Sequence, residues 1–446
     1  MMLSAWILAL PASFVAPPPA TATPAPTAVT PIGGDLLAIR ARRAETVSEG
    51  TLEHAVILIE DGKITAIGED LPIERGIPVW DLPDDWVVMP GMVNSYTRLG
   101  LTGSGYTDSR GYIRASNELF LPSSAYKRAL EEGVTTLGQY PPGTGIPGKA
   151  VAIRPSGRTP ADMILADDAY LKIVLRASGS AKRNISDGFK KADEFLEKEK
   201  KNREKWDKEQ EKKKKKKKSS KSKDDDEDKK EDDDKKTDDE DKKEESKKDD
   251  SDDVYKALVA DPKVAPFLEL RNGDLRALVA VSRATDYLHL IDAIGEEEFE
   301  FDLRISLSRS ADIFNVMDEI AESGCRVVMD PTITWHPGTM RQRNLPAEFA
   351  RAGVPLVLVP PSDLSYSSWR VSTGHLVAAG LDRDIALRAM TQEAADLLGV
   401  GERVGSLSVG KDANLIILSG DPFEPATQIK HVILEGEFVH GEEVEL

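Results

Sequence analysis

Short apolar runs bounded by turn residues open the readable part of the chain. Ala55-Val56-Ile57-Leu58-Ile59 and Ile64-Thr65-Ala66-Ile67-Gly68 flank Glu60-Asp61-Gly62-Lys63, which predicts a β-hairpin whose turn uses Gly62 at positive φ. From Met92 onward the pattern alternates. A helix over 125–132 stops at Gly133 and is followed by the strand Val134-Thr135-Thr136-Leu137. A helix over 311–323, with Ile313, Val316, Met317 and Ile320 on one face, stops at Gly324 before Val327-Val328-Met329. A helix over 345–352 stops at Gly353 before residues 355–359. Helices recurring between short apolar strands are the pattern of a parallel sheet or barrel. The last forty residues return to strands: 414–418, then 429–434, a turn at Glu435-Gly436-Glu437, and Phe438-Val439. Strands at both ends predict one small β domain assembled from both termini.

Two stretches break this pattern. Residues 3–15 are apolar and 17–26 are rich in Pro, Ala and Thr, with Ala20-Thr21-Ala22 as a small-x-small cleavage site. Residues 1–22 therefore read as a signal peptide, 23–33 as a linker, and the protein as exported, periplasmic or extracellular. Residues 198–253 hold an unbroken basic run over 212–218 and then acidic blocks. Almost nothing there can be buried, so it is expected to be a charged, disordered insertion, or at most a solvated helix.

The chain has 446 residues and a formal net charge of -18, which argues against a nucleic-acid surface, and no run is long enough to span a membrane. The single cysteine, Cys325, excludes an internal disulfide and a cysteine metal cluster, and reads as a small buried side chain.

Three phrases now converge, in order. Val87-Val88-Met89-Pro90-Gly91-Met92-Val93-Asn94 resembles the entry into the barrel of the amidohydrolase superfamily. Residues 387–391 with Arg403-Val404-Gly405-Ser406-Leu407 and Val409-Gly410-Lys411-Asp412-Ala413 resemble its exit. Residues 57–64 resemble its β-domain hairpin. Gly133-Val134-Thr135-Thr136 and Arg283-Ala284-Thr285-Asp286 look most like the imidazolonepropionase-like branch. The resemblance implies an α/β fold: a (β/α)8 TIM-like barrel over 91–402 and a small β-sandwich domain from 34–90 and 403–446. Pro90-Gly91 is expected as a sharp turn launching the first barrel strand.

It also implies metal-dependent hydrolysis of non-peptide C–N bonds, with Zn or another divalent ion held at strand ends and lowering the pKa of a bound water. The residues disagree with that part. Where the family opens with His-x-His, this chain reads Tyr96-Thr97-Arg98; a phenol is a poor ligand and a guanidinium offers no lone pair. Later slots hold Ala280 and Ser282, and no histidine lies in 305–309. Asp363 remains as a candidate catalytic carboxylate. Of six histidines only His336, in Thr334-Trp335-His336-Pro337-Gly338, follows a barrel strand, and no pair has chelating spacing. Lys172, within 170–175, reads as a strand lysine; Gly143 to Gly148 reads as a loop over the mouth.

No metal or other cofactor is therefore expected. The expected function is a ligand- or partner-binding pseudoenzyme that takes a small-molecule or anionic ligand at the mouth or pairs with an active paralogue. The alternative is a hydrolase with an altered site using Asp363, His336 and Tyr96. If Arg98 faces the cavity, a carboxylate or phosphate ligand follows.

Overall fold

The computed structural model describes residues 36–103, 105, 109–121, 123–175, 179–221, 254–308, 311–362 and 366–444, without the side chains of 216–221. The expected signal peptide and linker, most of the acidic half of the insertion, and Asp363 lie outside them.

Both chain ends build one sheet. Leu36–Glu45, Thr51–Glu60 and Lys63–Glu69 form an antiparallel meander, and Val87–Pro90 runs parallel to the first of these. Leu415–Leu418 pairs antiparallel with Val87–Pro90 and continues into Ile429–Leu434 and Glu437–His440. The expected sandwich is thus a single hydrogen-bonded sheet of eight strands. Alternate residues, among them Ile39, Ile57, Val88, Leu415 and Ile433, give it a core of its own. The hairpin turn places Gly62 at φ 75°, as its sequence requires.

Pro90-Gly91 is not the sharp turn expected. Pro90 ends a strand paired with Leu415, the Gly91 N–H donates to the Asn414 carbonyl, and the next strand begins at once. Glycine is needed for closeness instead, because a Cβ there would lie 2.1 Å from Oγ1 of Thr135.

The parallel strands are β1 (Met92–Thr97), β2 (Val134–Gln139), β3 (Leu171–Val174), β4 (Ala277–Val281), β5 (Phe301–Ile305), β6 (Val327–Met329) and β7 (Leu356–Leu358). β1 pairs with β2, and β3 to β7 pair in sequence. Among the described residues that makes seven parallel strands, not eight. The remaining stave is antiparallel: Gly145–Lys149 pairs with β3 and, immediately after it, Val151–Ile153 pairs with β2. The expected mouth loop at Gly143 to Gly148 is therefore largely part of the wall. The helices Arg383–Met390 and Gln392–Leu397 pack where β7 approaches β1.

Alternation sorts the strand residues into two cores. Leu171, Ile173, Val279, Leu303, Ile305, Val327, Met329, Leu356 and Leu358 pack outward against the helices. Tyr170, Leu278, Val328, Val357 and Val359 pack inward with Val93, Ala150 and Ala152. The same period puts Lys172, Ala280, Asp302 and Arg304 on the inner side.

The region expected to be a helix over 311–323 begins as a 3-10 turn, Ile313–Val316, and becomes α only at Met317–Glu322. The charged insertion departs further from expectation. Residues 198–221 continue a helix that starts at Gly179, so this half is ordered as a helix. Ile185, Phe189 and Ala192 bury its first turns, with Phe189 edge-on to Phe267 at 5.1 Å. That packing supplies the nucleus, and Lys, Glu and Gln, all good helix formers, extend it. Glu199 accepts from the Tyr255 hydroxyl at 2.9 Å and from the Leu258 N–H at 2.9 Å, and Trp206 meets the Tyr255 ring. Beyond Trp206 the helix is almost wholly exposed as far as Lys215. Deleting 208–253 is expected to move the melting temperature by no more than about 2 °C. Calorimetry checks this; a loss of many degrees would show that the segment packs on the fold.

Candidate functional site: a cationic barrel interior

The inner face of the barrel carries charges that the alternation alone brings together. Lys172 projects from β3 between outward Leu171 and Ile173, and Arg304 from β5 between Leu303 and Ile305. Both side chains are buried, Lys172 at 5% exposure and Arg304 at 7%. Asp330 follows β6, and Arg304 Nη2 donates to its Oδ1 at 2.6 Å. Arg304 Nη1 donates to the carbonyls of Ile305 at 2.7 Å and Val328 at 3.3 Å, while its buried Nε finds no acceptor. Burial raises the Asp330 carboxyl above the usual range and Arg304 opposes that rise.

Aromatic rings complete the wall. Tyr96 near the end of β1 and Tyr140 just after β2 stack with centroids 4.1 Å apart. Lys172 Nζ sits 3.6 Å from the Tyr140 centroid and 5.5 Å from that of Tyr96, and the Arg304 guanidinium lies 5.1 Å from Tyr96. Deeper, the buried Tyr170 hydroxyl donates to the Ser95 carbonyl at 3.1 Å. Burial and the cationic neighbours Arg98 and Arg304 hold the Lys172 ammonium down at about 7.

A second polar group closes the opposite end. Asp302 lies 3.3 Å from Arg276 and accepts from the Arg326 N–H at 2.8 Å, and Arg326 reaches Glu393 at 3.5 Å on the helix Gln392–Leu397. These charges are mutually paired and belong to the frame.

The residues singled out from sequence are placed as follows. Tyr96 is in the cluster. Ala280 pairs in register with Arg304. Ser282 is exposed at the end of β4, where Asp286 accepts from its N–H at 2.9 Å and opens the next helix. Arg98 is exposed and near the Gly103 carbonyl, so the inward charge comes from Lys172 and Arg304 and not, as expected, from Arg98. His336 is also exposed, in the hairpin of Thr334–Trp335 with Gln342–Arg343, its ring against Phe314 at 5.5 Å and not against Trp335. Cys325 is buried, as expected, and burial pushes its thiol up to about 11.

A divalent ion does not fit this donor set. The Arg304 guanidinium brings positive charge and no lone pair, Lys172 beside it brings a single amine that is positive when protonated, and the Asp330 oxygen is taken by Arg304. Among the described residues no group of three His, Cys, Asp or Glu side chains could hold a metal.

Sequence reasoning passed over Arg304, Asp330 and Tyr140, and read Lys172 only as a strand lysine, which its position in Leu171–Val174 bears out. The available signal was the period of two: a charged residue recurring between apolar ones in short strands.

Comparison with known proteins places this geometry in context. Residues 368–440 match the model of an amidohydrolase family. A 5'-deoxyadenosine deaminase of Methanosarcina barkeri is 37% identical over 90 residues, which is 18% of this chain and 20% of that protein, so the chain matches about a fifth of the relative's length. Among solved structures, an amidohydrolase from Thermotoga maritima superposes with a TM-score of 0.68 at 19% identity, covering 91% of this chain and all of the other. A prolidase complexed with N-methylphosphonate-L-proline superposes at 0.50 and 14% identity, covering 91% and 100% of the two chains.

Proposed function

We propose that the chain is a member of the amidohydrolase superfamily that, with cations on its inner barrel face, is a pseudoenzyme with respect to metal-dependent hydrolysis and binds a small carboxylate at the barrel mouth. The carrying observation is the pair Lys172 and Arg304, both buried and both inward, with Asp330 paired to Arg304 and no carboxylate on Lys172 among the described residues. Metal-assisted hydrolysis needs an open coordination position and a general base near the bound water. Here the Arg304 guanidinium and the Lys172 amine occupy that environment. The guanidinium attracts anions in a dry setting where each charge counts for more than in water.

We infer a relation to the imidazolonepropionase-like branch. Its support is Gly133, which ends a helix at φ 75°, and Asp286, whose carboxylate accepts from the N–H groups of Ser282 and Arg283 at a helix start. Both are helix boundaries, so they speak for descent of the fold and say nothing about substrate.

Titration calorimetry with malonate in chloride-free buffer tests the reading. Saturable one-to-one binding is expected, weakened about tenfold in Lys172→Met, the cost of one charged contact. Absence of saturable binding, together with amide hydrolysis dependent on added zinc, would refute it.

A further inference from the structure

Two lysines of this fold are equally buried, each with a side chain 5% exposed. Lys149 is held by two carboxylates, Asp168 at 3.0 Å and Glu269. Lys172 has none: among the described residues its neighbours are the rings of Tyr140 and Tyr96 and the guanidinium groups of Arg98 and Arg304. An ammonium enclosed with other cations gives up its proton readily, and a neutral amine is a nucleophile toward carbonyl carbon. Desolvation combined with a cationic neighbour is a recognised way to activate a lysine for Schiff-base chemistry. Nothing in the packing of the barrel requires an amine at this position, since the flanking inward residues are apolar or aromatic.

We propose that Lys172 is the nucleophile of a site that captures small 2-oxo acids as a covalent imine. The step balances without an oxidant or a reductant. The Nζ lone pair attacks the C2 carbonyl carbon, and the π electrons move to oxygen, which takes a proton. The carbinolamine then loses its hydroxyl as water while nitrogen gives up its remaining protons, leaving the C=N bond. The 2-oxo acid supplies both features the wall selects: a carbonyl for the amine and an adjacent carboxylate for the field of Arg304. The stacked Tyr96 and Tyr140 rings exclude bulk water on one side of the amine. The proposal rests on the reading of the mouth as a carboxylate site and goes beyond it by adding a covalent bond.

The test treats the full-length protein at pH 7 with glyoxylate and cyanoborohydride, which adds hydride to the imine carbon and fixes it as a secondary amine, followed by peptide mapping. Lys172 is expected to be modified at least about tenfold faster than Lys127 and Lys201, because far more of it is neutral at that pH. Those two lysines are each 70% exposed. The preference should vanish in urea, fall with added malonate, and disappear in Lys172→Arg, which keeps a charge but has no nucleophilic amine. If Lys172 reacts no faster than the exposed lysines while malonate still binds, the imine is refuted and the carboxylate site stands. If malonate does not bind either, both fail. Equal rates with propionaldehyde would refute the assignment to 2-oxo acids.

Discussion

Replacing Lys172 with methionine is expected to stabilise the fold, by about 3–4 kcal/mol at pH 7. The argument is one of linkage. In the unfolded chain the ammonium titrates at its ordinary value near 10.4; in the fold, burial beside Arg98 and Arg304 holds it at about 7. The folded state therefore binds fewer protons than the unfolded state between those values, and wild-type stability rises with pH across that window. Below it both states are protonated and the full penalty of a buried, unpaired ammonium is paid; above it the penalty is gone. Methionine keeps the length and polarisability of the side chain without the charge. The gain should be largest at and below pH 7 and fade above about pH 10. Urea denaturation of both proteins at pH 6, 8 and 10 measures it. A variant that is less stable than wild type at pH 7 would mean that the amine is well solvated or paired. A gain in stability combined with loss of malonate binding would mark Lys172 as retained for its chemistry.

Arg304→Met is expected to act in the opposite direction, with a loss of about 3–5 kcal/mol. The guanidinium satisfies Asp330 and two main-chain carbonyls, those of Ile305 and Val328. Its removal leaves a largely buried carboxylate without that partner and takes one donor from each of two main-chain carbonyls. The double variant Arg304→Met with Asp330→Leu should recover much of the loss, because replacing a buried pair by apolar groups costs far less than breaking it. Chemical denaturation of the single and double variants separates the two terms. A single variant within 0.5 kcal/mol or so of wild type would place the pair in solvent.

The frame was legible because its signals are local and periodic. Helix stops at Gly133, Gly324 and Gly353 are all glycines at positive φ in the structure. The hairpin about Gly62 and the terminal strands pair as their patterns require. The site was less legible, for a physical reason. A charged residue alternating with apolar ones in a strand ordinarily faces solvent. In a barrel the strands have an interior on both faces, the outer one under helices and the inner one filled by side chains. Lys172 and Arg304 carry the pattern of surface residues and lie in the second interior. Arg98, one position beyond β1, looked like an inward residue by analogy with His-x-His and is exposed. The antiparallel stave at 145–153 was obscured by Gly145 and Gly148, which read as loop. There a Cβ on Gly148 would lie 2.3 Å from the Ile113 carbonyl oxygen, so the glycine serves a close approach within the wall. Beyond residue 198 the helix over 179–221 was given only as the alternative to disorder, because composition was weighed without the packed turns that nucleate it.

The central claim is that Lys172 and Arg304 stand in place of a catalytic ion. Elemental analysis of protein purified without chelators, from medium supplemented with zinc, manganese and nickel, tests it most directly. Less than about 0.1 equivalent of any divalent metal per chain is expected, since a site short of several ligands at once cannot compete with water for the ion. One equivalent or more, removed by chelation together with a C–N hydrolase activity and restored with it, would contradict the account.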